Sequence, residues 1–119
     1  MDEFVMRLIW YKRAERRLHE SAVYSAQEFG KAFAESFMKD VLGQATLLCN
    51  HPRIGKVEPL LVSKHAHQYR SLVVHPYFKL IYYINEAKER IVITNFWDTR
   101  REPKQLSEET KVQELNETE

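Results

Sequence analysis

The sequence contains few of the residues that several protein classes depend on. Its 119 residues include one cysteine, three glycines and four prolines. A single cysteine cannot form an internal disulfide bond, which excludes the disulfide-rich secreted scaffolds. Three glycines are too few for the glycine-rich loops that bind nucleotide phosphates, and the chain has neither a Walker motif nor a Ser-His-Asp order. Nucleotide-binding and serine-hydrolase functions are therefore not indicated.

Long apolar runs and a signal peptide are also missing. No stretch approaches the ~18 consecutive apolar residues of a membrane-spanning helix, and the segment Met1-Asp2-Glu3 is acidic where a signal peptide is basic. We therefore expect a cytoplasmic protein with no membrane partner. The chain does have 44% hydrophobic residues, enough to build one core in a domain of ordinary size.

The near-neutral charge of the chain hides an asymmetry. The formal net charge is +1, but residues 107–119 hold five acidic residues and one lysine. Residues 1–106 then hold 17 basic and 12 acidic residues, a net charge of +5. We therefore predict a basic domain at 1–106 and an acidic, flexible C-terminal tail at 107–119.

Hydrophobic periodicity predicts an α+β fold. Helical spacing over residues 12–28 and 31–48, with a break at Gly30, predicts an antiparallel helix hairpin. Strands are predicted at Phe4–Tyr11, buried or nearly buried on both faces, then briefly at Leu60–Val62, and at Tyr69–Val74, Phe78–Ile84 and Arg90–Trp97. The short connections between the last three require an antiparallel β-meander. The expected architecture has two layers, with the helices on one sheet face and the other face free as a working surface.

Aromatic residues identify the expected core. Phe29, Phe33 and Phe37 recur every four residues along the predicted helices, and we expect this stripe to be buried. Trp10 and Trp97 lie at the ends of predicted strands, where burial against the helix hairpin is the expected arrangement.

Four basic residues lie in or just after predicted strands and are candidate binding residues: Arg70, Lys79, Arg100 and Arg101. Cations held on rigid strands beside aromatic rings such as Tyr77 can hold a phosphate backbone. Each could instead be a solvated edge charge that prevents aggregation. The four together favour a binding surface over that explanation.

Candidate acid–base groups are fewer. Glu58 could act as a general base, although a solvated loop carboxylate is the simpler interpretation, and His75 beside a proline is typical of a turn. His65 and His67 share a face of an extended segment, but two imidazoles without a further ligand do not make a metal site. We predict no metal and no cofactor.

The order of these segments resembles that of the RelE/ParE superfamily, the toxins of bacterial type II toxin–antitoxin modules. The resemblance covers about residues 4–106. It is carried by Trp10-x-x-x-Ala14, Pro52-x-x-Gly55, the segments at 69–74 and 77–84, and the ending Phe96-Trp97-Asp98-Thr99-Arg100-Arg101-Glu102-Pro103. The Arg-Arg-x-Pro ending and the long helix hairpin are more similar to the ParE branch.

The resemblance implies two alternative activities on one fold. ParE-like members inhibit DNA gyrase, whereas RelE-like members cleave mRNA on the ribosome. In the second case Arg70, Lys79 and Arg100 or Arg101 would hold the scissile phosphate, and Glu58 or His75 would accept the proton. The Tyr or His that nuclease members carry near the carboxyl end has no clear counterpart here.

The leading hypothesis is therefore a ParE-like toxin that binds a macromolecular target and is neutralised by a cognate antitoxin. Its target- or antitoxin-binding residues would be Arg70, Tyr77, Lys79, Arg100 and Arg101. The alternatives are a ribosome-dependent mRNA endonuclease and an inactive module that only binds antitoxin. Either a homodimer or a toxin–antitoxin hetero-oligomer is compatible with this assignment. If the acidic tail shields the basic face, deletion of residues 107–119 should increase toxicity.

Overall fold

The structure, a computed structural model, describes residues 5–62 and 64–117. The predicted strand start at Phe4 and the acidic segment Met1-Asp2-Glu3 lie outside these residues. Within the described residues no helix has both the length and the apolar character needed to cross a membrane. The elements, in chain order, are β1 (Arg7–Trp10), α1 (Lys12–Phe29), α2 (Lys31–Asn50), β2 (Lys56–Val57), a 3-10 turn (Pro59–Leu61), β3 (Arg70–His75), β4 (Phe78–Asn85), β5 (Arg90–Asp98) and α3 (Pro103–Leu115).

The five strands form one mixed sheet in the order β1-β5-β4-β3-β2. Strands β3, β4 and β5 are antiparallel neighbours, which confirms the predicted meander. β1 runs parallel to β5, with Arg7 opposite Arg90 and Trp10 opposite Ile93. Because β1 is an edge strand, its side chains are exposed or half-buried. Leu8 and Trp10 nevertheless pack on one face of the sheet, and Ile9 and Tyr11 on the other, so the predicted burial of both faces is partial.

The helix hairpin covers one face of the sheet. Gly30 separates the two helices with a φ of +97°, a conformation that residues with a side chain rarely adopt, and the predicted break is confirmed. Helix α1 packs mainly on β5, and α2 packs on β1, β3 and β5. The buried residues of this first core are Met6, Ala14, Leu18, Phe37, Val41, Ala45, Leu48, Leu80, Tyr82, Ile91, Ile93 and Phe96.

The opposite face of the sheet is covered by α3 and the 3-10 turn, and the expectation of a free face was wrong. Residues 103–115, most of them in the segment expected to be a flexible tail, form a helix. Pro103 occupies its first turn, where its missing N–H costs nothing, and Leu106, Thr110 and Gln113 form its buried face. The second core consists of Leu61, Tyr69, Ile81, Tyr83, Val92, Trp97 and Leu106.

Three smaller predictions also differ from the structure. The strand near residue 60 is a 3-10 turn at Pro59–Leu61, and the short strand lies before it, at Lys56–Val57. Trp97 is buried in the second core, under α3, and not against the hairpin. Phe29 and Phe33 are exposed, so Phe37 alone of the aromatic stripe is a core residue.

Candidate interaction site

A cleft of about 700 Å³ opens between the tip of the helix hairpin and one end of the sheet. We call it the aromatic cleft, because rings from both helices and from β3, β4 and β5 line it. Its lining residues are Arg17, Glu20, Ser21, Tyr24, Ser25, Phe29, Phe33, Phe37, His75, Tyr77, Phe78, Phe96, Asp98, Arg100 and Arg101.

Several rings of the aromatic cleft are open to solvent. Tyr24 is 59% exposed, Phe29 64%, Phe33 43% and Tyr77 52%. Phe29 and Phe33 contact each other across Gly30, with ring centroids 5.0 Å apart. Exposed aromatic rings that are grouped in a concave surface are characteristic of protein-binding sites. The cleft is therefore suited to hold apolar side chains of a partner.

The floor of the aromatic cleft is closed by stacked rings. Phe78 and Phe96 stack with ring centroids 4.7 Å apart. The rings of His75 and Phe37 are nearly perpendicular, with centroids 5.1 Å apart. His75 was predicted to be a turn residue or a proton acceptor. It is the last residue of β3, and its ring packs against an apolar ring, which suits it to shape the cleft.

A charged pair forms one rim of the aromatic cleft. Arg100 donates two hydrogen bonds to the carboxylate of Asp98, from Nε at 3.0 Å and from Nη2 at 2.9 Å. These hydrogen bonds lower the pKa of Asp98. The Arg100 guanidinium also lies over the Tyr77 ring, 4.5 Å from its centroid. The predicted binding residues Tyr77 and Arg100 thus lie together at the cleft, with the guanidinium exposed.

Lys79 lies elsewhere, in a buried ion pair with Glu58. Its Nζ is 2.5 Å from Oε1 of Glu58, and Glu58 has no exposed surface. The interpretation of Glu58 as a solvated loop carboxylate was wrong. Burial would raise the pKa of Glu58, but hydrogen bonds from Lys79, the Leu60 N–H and Ser71 lower it overall. An ionised, fully paired carboxylate of this kind is poorly suited to accept a proton.

Arg70 lies on the sheet face opposite to Lys79. Arg70 is paired with Tyr82 across β3 and β4, and Lys79 is three residues from Tyr82 along β4, so alternation places the two cations on different faces. The Arg70 Nη1 donates to the Gly55 carbonyl at 2.7 Å, beside the Tyr82 hydroxyl, which donates to the Pro52 carbonyl. The four predicted cations therefore do not form one surface.

Arg101 lies beside the Glu109 carboxylate with two other arginines, Arg13 and Arg17. We call these three arginines the arginine cluster. Arg17 donates from both terminal nitrogens to the Glu109 carboxylate, at 2.7 and 3.0 Å, and Arg101 donates at 3.0 Å. Asn95 donates to the same carboxylate at 3.1 Å. Burial would raise the pKa of Glu109, but these hydrogen bonds and the charge of Arg17 lower it to about 2.

The histidine pair has a structural arrangement. His67 stacks on Tyr83 with ring centroids 3.7 Å apart, and its Nε2 is 3.1 Å from Glu117. His65 lies 3.1 Å from the Ser107 hydroxyl. Across residues 5–62 and 64–117, no three histidine, cysteine or acidic side chains are grouped to hold a metal ion. The contacts of both histidines instead attach α3 to the sheet.

Sequence reasoning did not identify several residues of these two sites. Tyr24 is a single aromatic residue between Val23 and Ser25, and Arg13 and Arg17 lie in an ordinary charged helix face. Their spacing of four residues places both arginines on one side of α1, which is the one signal available. Their partner Glu109 is more than 90 residues away in the sequence, so local patterns could not identify it.

Comparisons with known proteins agree with this architecture. The family model described as "ParE toxin of type II toxin-antitoxin system, parDE" matches residues 8–103. A search of curated proteins gave no match. Among solved structures, one entitled "Chromosomal ParDE TA system from P. aeruginosa" superposes with a TM-score of 0.64 at 19% identity. The match covers 80% of this chain and 97% of that one. At this identity the likeness establishes the fold alone.

Proposed function

The chain belongs to the ParE toxin family, and we propose that it inhibits DNA gyrase and is neutralised by a cognate antitoxin. Membership confirms the resemblance found in the sequence, with the ParE branch favoured over the RelE branch. The gyrase target follows from that branch. The observation that carries the antitoxin part of the proposal is the aromatic cleft, whose rings stay exposed among residues 5–62 and 64–117.

We infer that a segment of the antitoxin binds in the aromatic cleft. Exposed Phe29, Phe33 and Tyr24 would bury against apolar side chains of that segment. Arg100 at the rim pairs with Asp98, but its side chain is 58% exposed, so it can also contact an acidic residue beside those apolar anchors. An amphipathic segment with both features is the expected occupant, and helix-in-groove binding is the corresponding recognition mode.

The surroundings of the predicted catalytic residues favour binding over RNA cleavage. Lys79 is neutralised by buried Glu58, and Arg70 lies on the other sheet face. Arg100 is held by Asp98. A scissile phosphate requires several cations and a free base at one point, and these residues do not provide that arrangement. This geometry supports a toxin that acts by binding.

The proposed activity can be tested with purified protein. Supercoiling by gyrase should be inhibited and cleaved DNA should accumulate when the protein is added, and the purified product of the adjacent antitoxin gene should reverse both effects. Mapping of transcript ends after expression provides the second arm. Codon-phased cuts in translated messages with unaffected gyrase would replace this proposal by the endonuclease. Antitoxin binding with neither effect would identify an inactive binding module.

The cleft can be tested separately with two matched variants on α2. Phe33 lines the aromatic cleft and Leu42 does not, and both are 43% exposed. Phe33→Ser should weaken antitoxin binding at least tenfold, about 1.4 kcal/mol, whereas Leu42→Ser should leave it unchanged. Calorimetric titration measures both. Equal affinities of the two variants would exclude the aromatic cleft as the antitoxin site.

A further inference from the structure

We propose that the arginine cluster, Arg13, Arg17 and Arg101, is a binding site for the phosphodiester backbone of duplex DNA, and that the Glu109 carboxylate occupies this site in the free protein. The choice of DNA rests on the proposed function, because gyrase acts on duplex DNA and an inhibitor bound to it meets that DNA. The site itself is argued from its geometry.

The contacts of Glu109 show which ligand the arginine cluster accepts. Both terminal nitrogens of Arg17 point at the two oxygens of one carboxylate, at 2.7 and 3.0 Å. This two-pronged arrangement fits a phosphate group as well as a carboxylate. Arg101 adds a third donor at 3.0 Å. A phosphate in place of the Glu109 carboxylate would accept the same three hydrogen bonds.

Arg13 supplies a donor that Glu109 does not satisfy. Its Nη1 is buried and has no hydrogen-bond partner among the described residues, and it lies 3.9 Å from Oε1 of Glu109. Buried donors in folded proteins almost always have an acceptor. A phosphate has more acceptor oxygens than a carboxylate, so it could also satisfy Arg13.

Charge and access are compatible with a backbone ligand. Three arginines against one carboxylate leave the cluster with two positive charges even in the free protein. The side chains of Arg13, Arg17, Arg101 and Glu109 are 20–34% exposed. The carboxylate and its arginine partners therefore keep exposed surface through which a phosphate can approach and compete for the same donors.

The rings beside the arginine cluster indicate that it contacts the backbone and not the bases. The Arg101 guanidinium lies 4.6 Å from the centroid of the Trp97 ring, but Trp97 is only 1% exposed. Bases cannot stack on a buried ring, which removes the main contact of single-strand binders. Binding through phosphates alone is independent of sequence and steeply dependent on salt.

Two glutamates of α3 provide a matched test. Glu109→Gln and Glu108→Gln change the net charge equally, but Glu108 is exposed on the outer side of the helix. Glu109→Gln should bind a duplex DNA oligonucleotide about fivefold more tightly than Glu108→Gln, as expected for the loss of a competing ion pair of about 1 kcal/mol. Fluorescence anisotropy over a range of salt concentrations measures the affinities. Equal affinities would overturn the proposal.

The arginines provide the opposite change. Arg17→Gln should lower the slope of log affinity against log salt by about 1. Arg17→Lys should keep the slope but recover only part of the affinity, because lysine keeps the charge and loses the two-pronged contact. Arg7→Gln, at an exposed position of β1, should have a smaller effect than Arg17→Gln. Circular dichroism confirms that each variant is folded. If the unmodified protein binds single-stranded RNA more tightly than duplex DNA of equal length, DNA is excluded as the ligand. Because neither gyrase nor antitoxin is present, failure here leaves the proposed function intact.

Discussion

The ammonium group of Lys79 lies 2.5 Å from Oε1 of Glu58, and the Glu58 side chain is fully buried in the loop between β2 and the 3-10 turn. This pair joins the central strand β4 to the loop before β3. Lys79 is one of the residues expected to bind the target or antitoxin, or to hold a scissile phosphate in the endonuclease alternative, and here it compensates a buried charge. Its role in the fold is therefore structural.

Lys79→Met should destabilise the protein by about 3–5 kcal/mol, because it leaves the Glu58 carboxylate buried without its cation. Urea unfolding at pH 7 measures this change. The double variant Lys79→Met/Glu58→Leu should be more stable than Lys79→Met alone, because it also removes the unpaired charge. A single variant with unchanged stability would contradict the structural role of the pair.

Acid should weaken the attachment of α3. The pKa of Glu109 is about 2 in the folded protein and 4.5 in a free side chain, so its contribution to stability is complete above pH ~4.5 and is lost as the pH falls towards 2. Glu109→Gln should therefore show a smaller loss of stability over this window than the wild-type protein. Glu108→Gln should retain the wild-type profile. Thermal unfolding at successive pH values provides the comparison, and identical profiles for both variants would contradict it.

Gly55 should not tolerate a side chain. A Cβ atom at this position would lie 2.6 Å from the Ser71 carbonyl oxygen and 2.7 Å from the Tyr82 hydroxyl, so Gly55→Ala should cost about 1–3 kcal/mol. Gly43 in α2 provides the control, because a Cβ there meets no atom within 4 Å. Gly43→Ala should stabilise the helix by about 0.5–1 kcal/mol. Chemical denaturation of both variants tests whether the two changes in the free energy of unfolding have opposite signs.

Deletion of residues 108–119 should unfold or strongly destabilise the protein. The deletion removes the buried Thr110 and Gln113 and the hydrogen-bond partners of Tyr69, namely Gln113 and Glu114, which together should cost more than about 2 kcal/mol. A chain that ends at Glu117 retains α3 and should have wild-type stability. If the chain that lacks residues 108–119 is as stable as the full chain, α3 does not have this packing role. Because truncation should also unfold the protein, the hypothesis that the acidic segment shields the basic face is better tested with point variants of Glu109.

The strands and the helix hairpin were predictable because their signals are local. Alternating and continuous apolar runs identify β3, β4 and β5, and Gly30 ends α1 where a positive φ is required. The burial of α3 was not predictable in this way, because two of its three buried residues are polar. Thr110 donates to the Leu106 carbonyl and the Gln113 amide nitrogen to the Tyr69 hydroxyl. The second of these partners lies 44 residues away in the sequence, so no local pattern indicates it.

Helical periodicity does not predict the aromatic cleft, because Phe29 and Phe33 belong to different helices on either side of Gly30. Phe29 ends α1 and Phe33 lies in the first turns of α2, and the helix axis changes direction between them. A spacing of four residues then no longer places the side chains on one face. The paired state of Glu58 was missed for a different reason. Its cation is 21 residues away, and only the strand register brings the two together.

The parallel pairing of β1 with β5 sets a limit on when this protein can fold. Arg7 to Trp10 find their partners only at residues 90–93, and the closure of so long a loop precedes any gain from the pairing. During translation the amino-terminal strand therefore has no strand to pair with until residues 90–93 have left the ribosome.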